Sequence, residues 1–452
     1  MEEDVQFELT KEFLEKFRQG IVSQNTDFII SSLENIPAAD ITLLLHNFNA
    51  DESKYVIDQL DVVIGAEIII DLDEDVRERF ISEFSSSEIA KFVNTLDSDD
   101  AVDLLSGLPL KEREEVLAEI DDSEKEAHIL DLLRYDDDSA GGLMAKELIK
   151  ANVNWNVVQC IEEIRRQGEK VSKIHAVYVV DNNDTLLGRV SLRRIILSED
   201  NVKIADIYED NVVSVETFVD DEEVASMMQR YNLEAVPVVN VHGKLLGRIT
   251  IDDIVDVITE TAEEERQLMT GISADVEEKD SVWMLTKARL PWLVIGIVGG
   301  LVSAEFIKFF EEDLARIVAI AFFIPLIQAT GGNVGIQSSS IVVQSLASPS
   351  VFEHGMTKRL FKVLLVSLLN GVVLALLVFG SNLLFGGTAN LSIVVSIALF
   401  SVVVIASLVG TITPLILDKF EINPALASGP FITTTNDIIG LAIYFFVIHL
   451  LL

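Results

Sequence analysis

The chain has 452 residues, 49% of them apolar, and its 73 acidic against 34 basic side chains give a formal charge of −39 at pH 7. So anionic a chain repels nucleic acid and acidic lipid surfaces, which excludes nucleic acid as a partner. One cysteine, Cys160, excludes an intramolecular disulfide framework and suits a reducing compartment.

The opening stretch MEEDVQFELTKEFLEKF has no basic segment followed by an apolar one, so no signal peptide is expected and the soluble part is placed in the cytosol. Residues 1–135 lack strand-like alternation. Ala66–Leu72, Ile81–Leu96 and Ala101–Leu108 space their apolar residues at i, i+3 and i+4, which predicts amphipathic helices. Asp97-Ser98-Asp99-Asp100 and Leu108-Pro109-Leu110 supply N-cap and first-turn chemistry between them. Short helices at even spacing predict a stacked array, an all-α acidic N domain.

An internal duplication follows. Ala176–Ile196 reads AVYVVDNNDTLLGRVSLRRII and Ala235–Val255 reads AVPVVNVHGKLLGRITIDDIV, 59 residues apart. Each copy has an apolar strand, a polar turn, a second strand ending in Leu-Leu-Gly-Arg and a helix start. Amphipathic helices, Val157–Arg165 and Glu222–Tyr231, precede them. A β-α-β-β-α unit repeated once predicts an α/β pair about a pseudo-twofold, over 136–200 and 201–258. These residues resemble tandem CBS domains, regulatory modules that often bind adenine nucleotides such as ATP. The ribose-holding Gly-x-x-Ser/Thr-x-x-Asp run of that family is matched by Gly247, Thr250 and Asp253. The first copy has Gly188 and Ser191, with Arg194 in the place of the acid.

Residues 259–285 predict a charged linking helix, with Glu260, Glu263, Glu264 and Glu265 in close succession. By composition alone such a run is a solvated helix face. Beyond it the charge balances: eight basic and eight acidic residues lie between 286 and 452, so the whole excess belongs to the soluble part. Five spans, at about 290–309, 316–346, 360–386, 390–417 and 424–452, are each long enough for the roughly 20 residues a hydrocarbon core requires. The second is polar enough to include a loop or a broken helix. Lys358, Arg359 and Lys362 follow it, whereas Phe385–Asn390 is uncharged and the 309–316 loop is mostly acidic. The positive-inside rule then puts the N-terminus in the cytosol and the C-terminus outside.

Two polar runs interrupt the spans. Pro325–Gln344 reads PLIQATGGNVGIQSSSIVVQ, whose glycines and amides suit close helix packing or a pore lining equally well. The last span holds Ser428, Gly429, Pro430, Thr433, Thr434, Thr435, Asn436 and Asp437. Asp437 is the only acidic residue after Glu421. A carboxylate near a bilayer centre costs roughly 2.5–3.5 kcal/mol and persists mainly where it lines water, a cation path or a proton relay. Oxygen donors with one carboxylate and no nearby His or Cys match a hard, largely hydrated cation such as Mg²⁺. One acid is little for a dication, so a homodimer that brings two copies to a pore on or near its axis is expected. From the residues alone a channel, an ion-coupled carrier and a membrane-anchored metal or nucleotide sensor stay open. An enzyme is not expected, for there is no nucleophile–base pair, phosphate-cradling loop or His/Cys metal set.

The order of parts resembles the MgtE family of magnesium channels: all-α helical N domain, α/β tandem CBS pair, linking helix, and an α-helical transmembrane domain with five spans. Ala140-Gly141-Gly142-Leu143-Met144, Gly331-Gly332-Asn333 with Gln337, and Pro430 to Asp437 carry the likeness. It implies a gated Mg²⁺ channel of the cell membrane. Asp437 would be the pore carboxylate, with Asn333, Gly429 and Thr433 lining the pore. Glu67, Asp99, Asp253, Asp256, Glu264 and Glu265 would be the acids that cytosolic Mg²⁺ bridges to hold it shut. Asn423, Thr261 and Asn232 stand where relatives carry acids.

Overall fold

The computed structural model describes residues 9–168, 171, 173–272, 276, 281–347, 356–420, 422–427 and 429–451. Ser428 and part of the expected linking segment, 273–275 and 277–280, lie outside the described residues. The chain divides into two compact units, Met1–Ile258 and Thr259–Leu452.

In the first unit short helices follow one another from Lys11 to Leu132. Thr10, Asn25 and Asp61 accept bonds from free first-turn N–H groups, and Asn49–Glu52 and Ser85–Glu88 close capping boxes. The Ser85 box corrects one expectation. Ile81–Leu96 is not continuous: one helix ends at Ile81 and the next starts at Ser86, because the Ser85 hydroxyl accepts from Glu88 N–H while the Glu88 carboxylate accepts from Ser85 N–H, which makes Ser85 an N-cap. Contacts between layers recur at a separation of 29 residues: Arg18 to the Asn47 carbonyl, Thr26 to Tyr55, Lys54 to the Glu83 carbonyl, Ser86 to Glu115 and Lys125 to the Leu96 carbonyl. That constant offset is the signature of a stacked array.

Two three-stranded sheets follow, β1 (Ile149–Asn152), β2 (Val177–Val180) and β3 (Leu186–Val190), then β4 (Val215–Glu216), β5 (Ala235–Val239) and β6 (Leu245–Thr250). In each, the first two strands are parallel and the last two antiparallel, with a register shift at equivalent places, Val179/Val180 and Val238/Val239. The copies meet reciprocally. Leu186 N–H donates to Gly243 O at 2.9 Å, and Leu245 N–H donates to Asp184 O at 3.0 Å. Each copy also finishes its sheet with chain that belongs elsewhere in the sequence. Arg189 exchanges bonds with Glu209, which lies in the second copy's stretch of sequence, and Arg248 with Ala145, which lies in the first copy's. Ala140 and Gly141 donate to Val219 O and Thr217 O, so the Ala140–Met144 run belongs structurally to the second copy. Its core is continuous with that of the helical array, whereas the first copy keeps its own.

In the second unit five helices are long and apolar enough to cross a membrane among the described residues. Span one is Val282–Lys308, span two Ile324–Ala347, span three Met356–Leu384, span four Ala389–Lys419 and span five Gly429–Leu451. The expected break precedes span two: Val318–Phe323 is a 3₁₀ turn, while the whole polar run after it is helical. Tyr444, fully buried, donates to Ile320 O at 2.8 Å and so ties span five to this turn. Span four is the centre, burying Val394, Ala398, Leu399, Val402 and Ala406. Spans one and three instead expose Leu293, Ile297, Leu301, Leu365, Leu369 and Leu376, which suits lipid or another copy and not water.

Candidate functional site

The two polar runs of the membrane unit meet. A Cβ added at Gly332 would lie 3.2 Å from Thr433 Cγ2 and 3.7 Å from Asp437 Oδ1, so the missing side chain is what lets the carboxylate approach span two. Asp437 is half-buried, and no hydrogen bond or ion pair ties it down among the described residues. Thr433 donates to Gly429 O at 2.9 Å and turns its methyl to Gly332. Asn333 and Gln337, one turn apart on span two, are exposed. Amides facing hydrocarbon are costly, so that stripe fits a water-lined or subunit-facing surface. Asn423 caps the Pro424–Ala427 turn, accepting from Ala425 N–H at 2.9 Å.

At the start of span five two glycines interlock. Gly429 has φ +56° and Gly271, just past the linking helix (Ile251–Thr270), has φ +83°. A Cβ at Gly429 would collide with Met269 O and stand 3.3 Å from its carbonyl carbon, and one at Gly271 would stand 2.5 Å from Pro430 Cγ. Each position thus requires glycine twice over, for its backbone and for its neighbour. Gly271 was not singled out in the sequence, although a glycine directly after a helical run is a C-cap signal.

In the first unit Asp99 and Asp100 occupy the first turn of Ser98–Ser106, and Asp253 the first turn of the linking helix. They repel one another. Burial, then Asp253, pushes Asp99 well above the usual carboxylate range, and the same causes with Asp103 and Asp97 raise Asp100 to about 7. Burial raises Asp253 to about 6 even though Thr250 N–H and hydroxyl donate to its Oδ2 at 3.0 and 2.8 Å. Asp256 is raised by burial, then by Asp252 and Asp71. Glu67 and Glu264 are exposed and Glu265 half-buried, while Thr261 is half-buried. Among the described residues no three acids, histidines or cysteines close around one point. Asp100, Asp103 and Glu147 were missed in the sequence. Glu147 caps the helix that carries Asp99, accepting from Ser98 N–H at 3.0 Å and Ser98 Oγ at 2.7 Å, and only the fold brings it there.

These shifts set a pH dependence. The compact arrangement raises carboxyl pKa values from an ordinary ~3.9, so it binds protons that the separated parts release. Its stability is present at acid pH and lost as pH rises through about 6 and about 7, the values of Asp253 and Asp100. In metal-free buffer the full-length protein should become more protease-sensitive between the helical array and the sheets from pH 5.5 to pH 8, and millimolar Mg²⁺ should suppress the change. A flat profile would mean the acids are not held together.

A cavity of ≈340 Å³ opens beside the sheets, lined among others by His175, Tyr178, Arg189, Tyr231, Asn232 and Pro237. Tyr178 Oη is buried, with no hydrogen-bond partner among the described residues. Asn232 takes the left-handed conformation (φ 49°) that ends the Asp221–Tyr231 helix, a place asparagine tolerates. Gly247, Thr250 and Asp253 do not line this cavity. Gly247 lies against Met144, with a Cβ 3.0 Å from Met144 Cγ, and Thr250 and Asp253 bond to each other. Arg194 lies 3.8 Å from Glu209, to which Arg189 also pairs at 3.5 Å.

The chain matches the family model described as a divalent cation transporter over residues 324–447. It also matches the MgtE intracellular N domain over 36–138 and the CBS domain over 140–199 and 204–260. It is 31% identical to the magnesium transporter MgtE of Bacillus subtilis, covering 90% of this chain and 95% of that one. To the magnesium transporter MgtE of Thermus thermophilus it is 31% identical, over 96% and 97%. Among solved structures it is similar to the cytosolic domain of the Mg²⁺ channel MgtE in complex with ATP, with TM-score 0.51 and 27% identity over 54% of this chain and 99% of that one. The soluble part of a magnesium transporter gives 0.50 and 28%, over 56% and 99%.

Proposed function

The chain belongs to the MgtE family of magnesium transporters, and on that footing we propose that it is a Mg²⁺-selective channel of the cell membrane, a homodimer that cytosolic Mg²⁺ closes. The observation that carries this reading is Asp437, the one carboxylate of span five, beside a glycine that lets it approach span two. Two facing copies supply two negative charges for one dication, and the amide of Asn333 with the Gly429 carbonyl adds neutral donors for a hydrated ion. The basic residues after span two support an N-terminus in the cytosol and a C-terminus outside.

Closure follows from the acids. Mg²⁺ held among Asp99, Asp253 and Asp256, with Glu67, Glu264 and Glu265 as the further acids of the sensor, offsets their repulsion and shifts the population to the compact form. When Mg²⁺ falls, repulsion prevails and the linking helix, whose end meets Gly429, releases span five. Tyr231 for stacking and Arg189 for phosphate support an adenine nucleotide such as ATP in the cavity beside the sheets, as does the relative solved with ATP. The test is a cytosolic Mg²⁺ titration of reconstituted patches. Mg²⁺ current without a proton gradient, falling as cytosolic Mg²⁺ rises, is expected, and Glu264→Gln with Glu265→Gln should move the curve to higher Mg²⁺. Electroneutral uptake driven only by a proton gradient would make the protein an ion-coupled carrier instead.

A further inference from the structure

We propose that Asn436 is the positioning residue for the pore carboxylate: wedged into the notch of Gly335, it sets the rotation of span five so that Asp437 lies beside Gly332. This rests on the reading of Asp437 as the pore ligand, although the contacts behind it are separate.

Asn436 is 1% exposed, and among the described residues it is the only buried side chain with two polar atoms lacking a hydrogen-bond partner. An amide with nothing to bond is costly inside a helix bundle, so what the site uses is its shape. A Cβ at Gly335 would fall inside the contact radius of Asn436 Nδ2 and 3.0 Å from its Cγ. The wedge has no room to push span two aside. Behind Gly335 stands Gly410 of span four, whose added Cβ would lie 3.0 Å from Gly335 Cα and closer still to its carbonyl oxygen. Gly331, on the same side of span two, leaves room for the Asn436 carbonyl, 3.7 Å from a Cβ placed there.

Rotation then follows from helical geometry. Neighbouring residues point about 100° apart around the axis, so pinning Asn436 leaves Asp437 one direction to face. Gly332 is three residues before Gly335 and therefore almost directly along the same face of span two. The two glycines act as a pair, one receiving the wedge and the other the carboxylate.

The chain is suited to a direct test. Its single thiol, Cys160, is fully buried and burial pushes it up to about 11, so Asp437→Cys introduces the only reactive thiol. The rate at which a charged methanethiosulfonate modifies that position in the reconstituted full-length protein reports where residue 437 points, with no need for Mg²⁺ transport. Gly335→Ala, which displaces the wedge, should slow modification at least about tenfold, and Asn436→Ala, which deletes it, at least about threefold. The two together should return the rate to within about threefold of the parent, because the new methyl fills the space the amide left. A double variant no faster than Gly335→Ala would overturn the proposal. If Gly335→Ala fails to fold, a parent-like rate in Asn436→Ala would do the same. Mg²⁺ uptake that survived Asp437→Ala would instead remove the pore reading and leave this comparison of rates standing.

Discussion

Asp437→Ala should cut Mg²⁺ uptake into liposomes by about a hundredfold or more while the protein stays folded and assembled. The magnitude comes from electrostatics. Unit charges about 4 Å apart at an effective dielectric of about 20 interact by about 4 kcal/mol, close to a thousandfold in occupancy at ~1.4 kcal/mol per decade. Hydration of both ion and carboxylate lowers that figure, hence the more modest expectation. Asp437→Asn separates charge from shape: it keeps the outline beside Gly332 and should lose nearly as much as alanine. Asp437→Glu keeps the charge on a longer stem in a space bounded by Thr433 and Gly332, and should retain part of the flux. Normal uptake by a folded Asp437→Asn protein would remove the carboxylate from the ion path.

The second large effect belongs to the interlocked glycines. Gly429→Ala places a side chain on a backbone at φ +56°, which costs about 1–2 kcal/mol, and drives its Cβ into Met269 O. The clash with Met269 O is relieved when the end of the linking helix withdraws, so that part of the cost falls on the closed form selectively. At ~1.4 kcal/mol per decade the cytosolic Mg²⁺ needed for half-closure should rise about tenfold or more. Gly271→Ala, at φ +83° and against Pro430, should act in the same direction. Inhibition curves from inside-out patches decide it. A curve that does not move, with the current otherwise normal, would show that closure does not pass through this joint.

Much of this was legible in the chain because the signals are local. The Leu-Leu-Gly-Arg repeat foretold two equivalent sheets, and the charge balance after residue 286 foretold the membrane unit. A carboxylate in a span announces itself in any hydropathy reading. What stayed hidden depends on which surfaces meet. Nothing near Glu147 says that it caps a helix 49 residues earlier, and nothing near Ala145 says that it pairs with Arg248. Gly335 and Gly410 read only as small residues until the crossing of spans two and four shows what each avoids. The cavity beside the sheets escaped for a similar reason: Tyr178, Arg189 and Tyr231 come from separate strands and a helix that only the tertiary fold unites. The Ile81–Leu96 misreading arose because apolar spacing continued across a capping serine.

The exchange of sheet edges between the two copies has a consequence for biosynthesis. Ala145 leaves the ribosome roughly a hundred residues before Arg248, and at about 5–20 residues per second its partner strand is missing for about 5–20 s. During that interval the nascent first copy must mature beside an unmatched edge that belongs to its twin. Neither copy can therefore be excised as a self-sufficient module, and a slow codon or a pause in translation over residues 200–245 would prolong the exposure of that edge to aggregation.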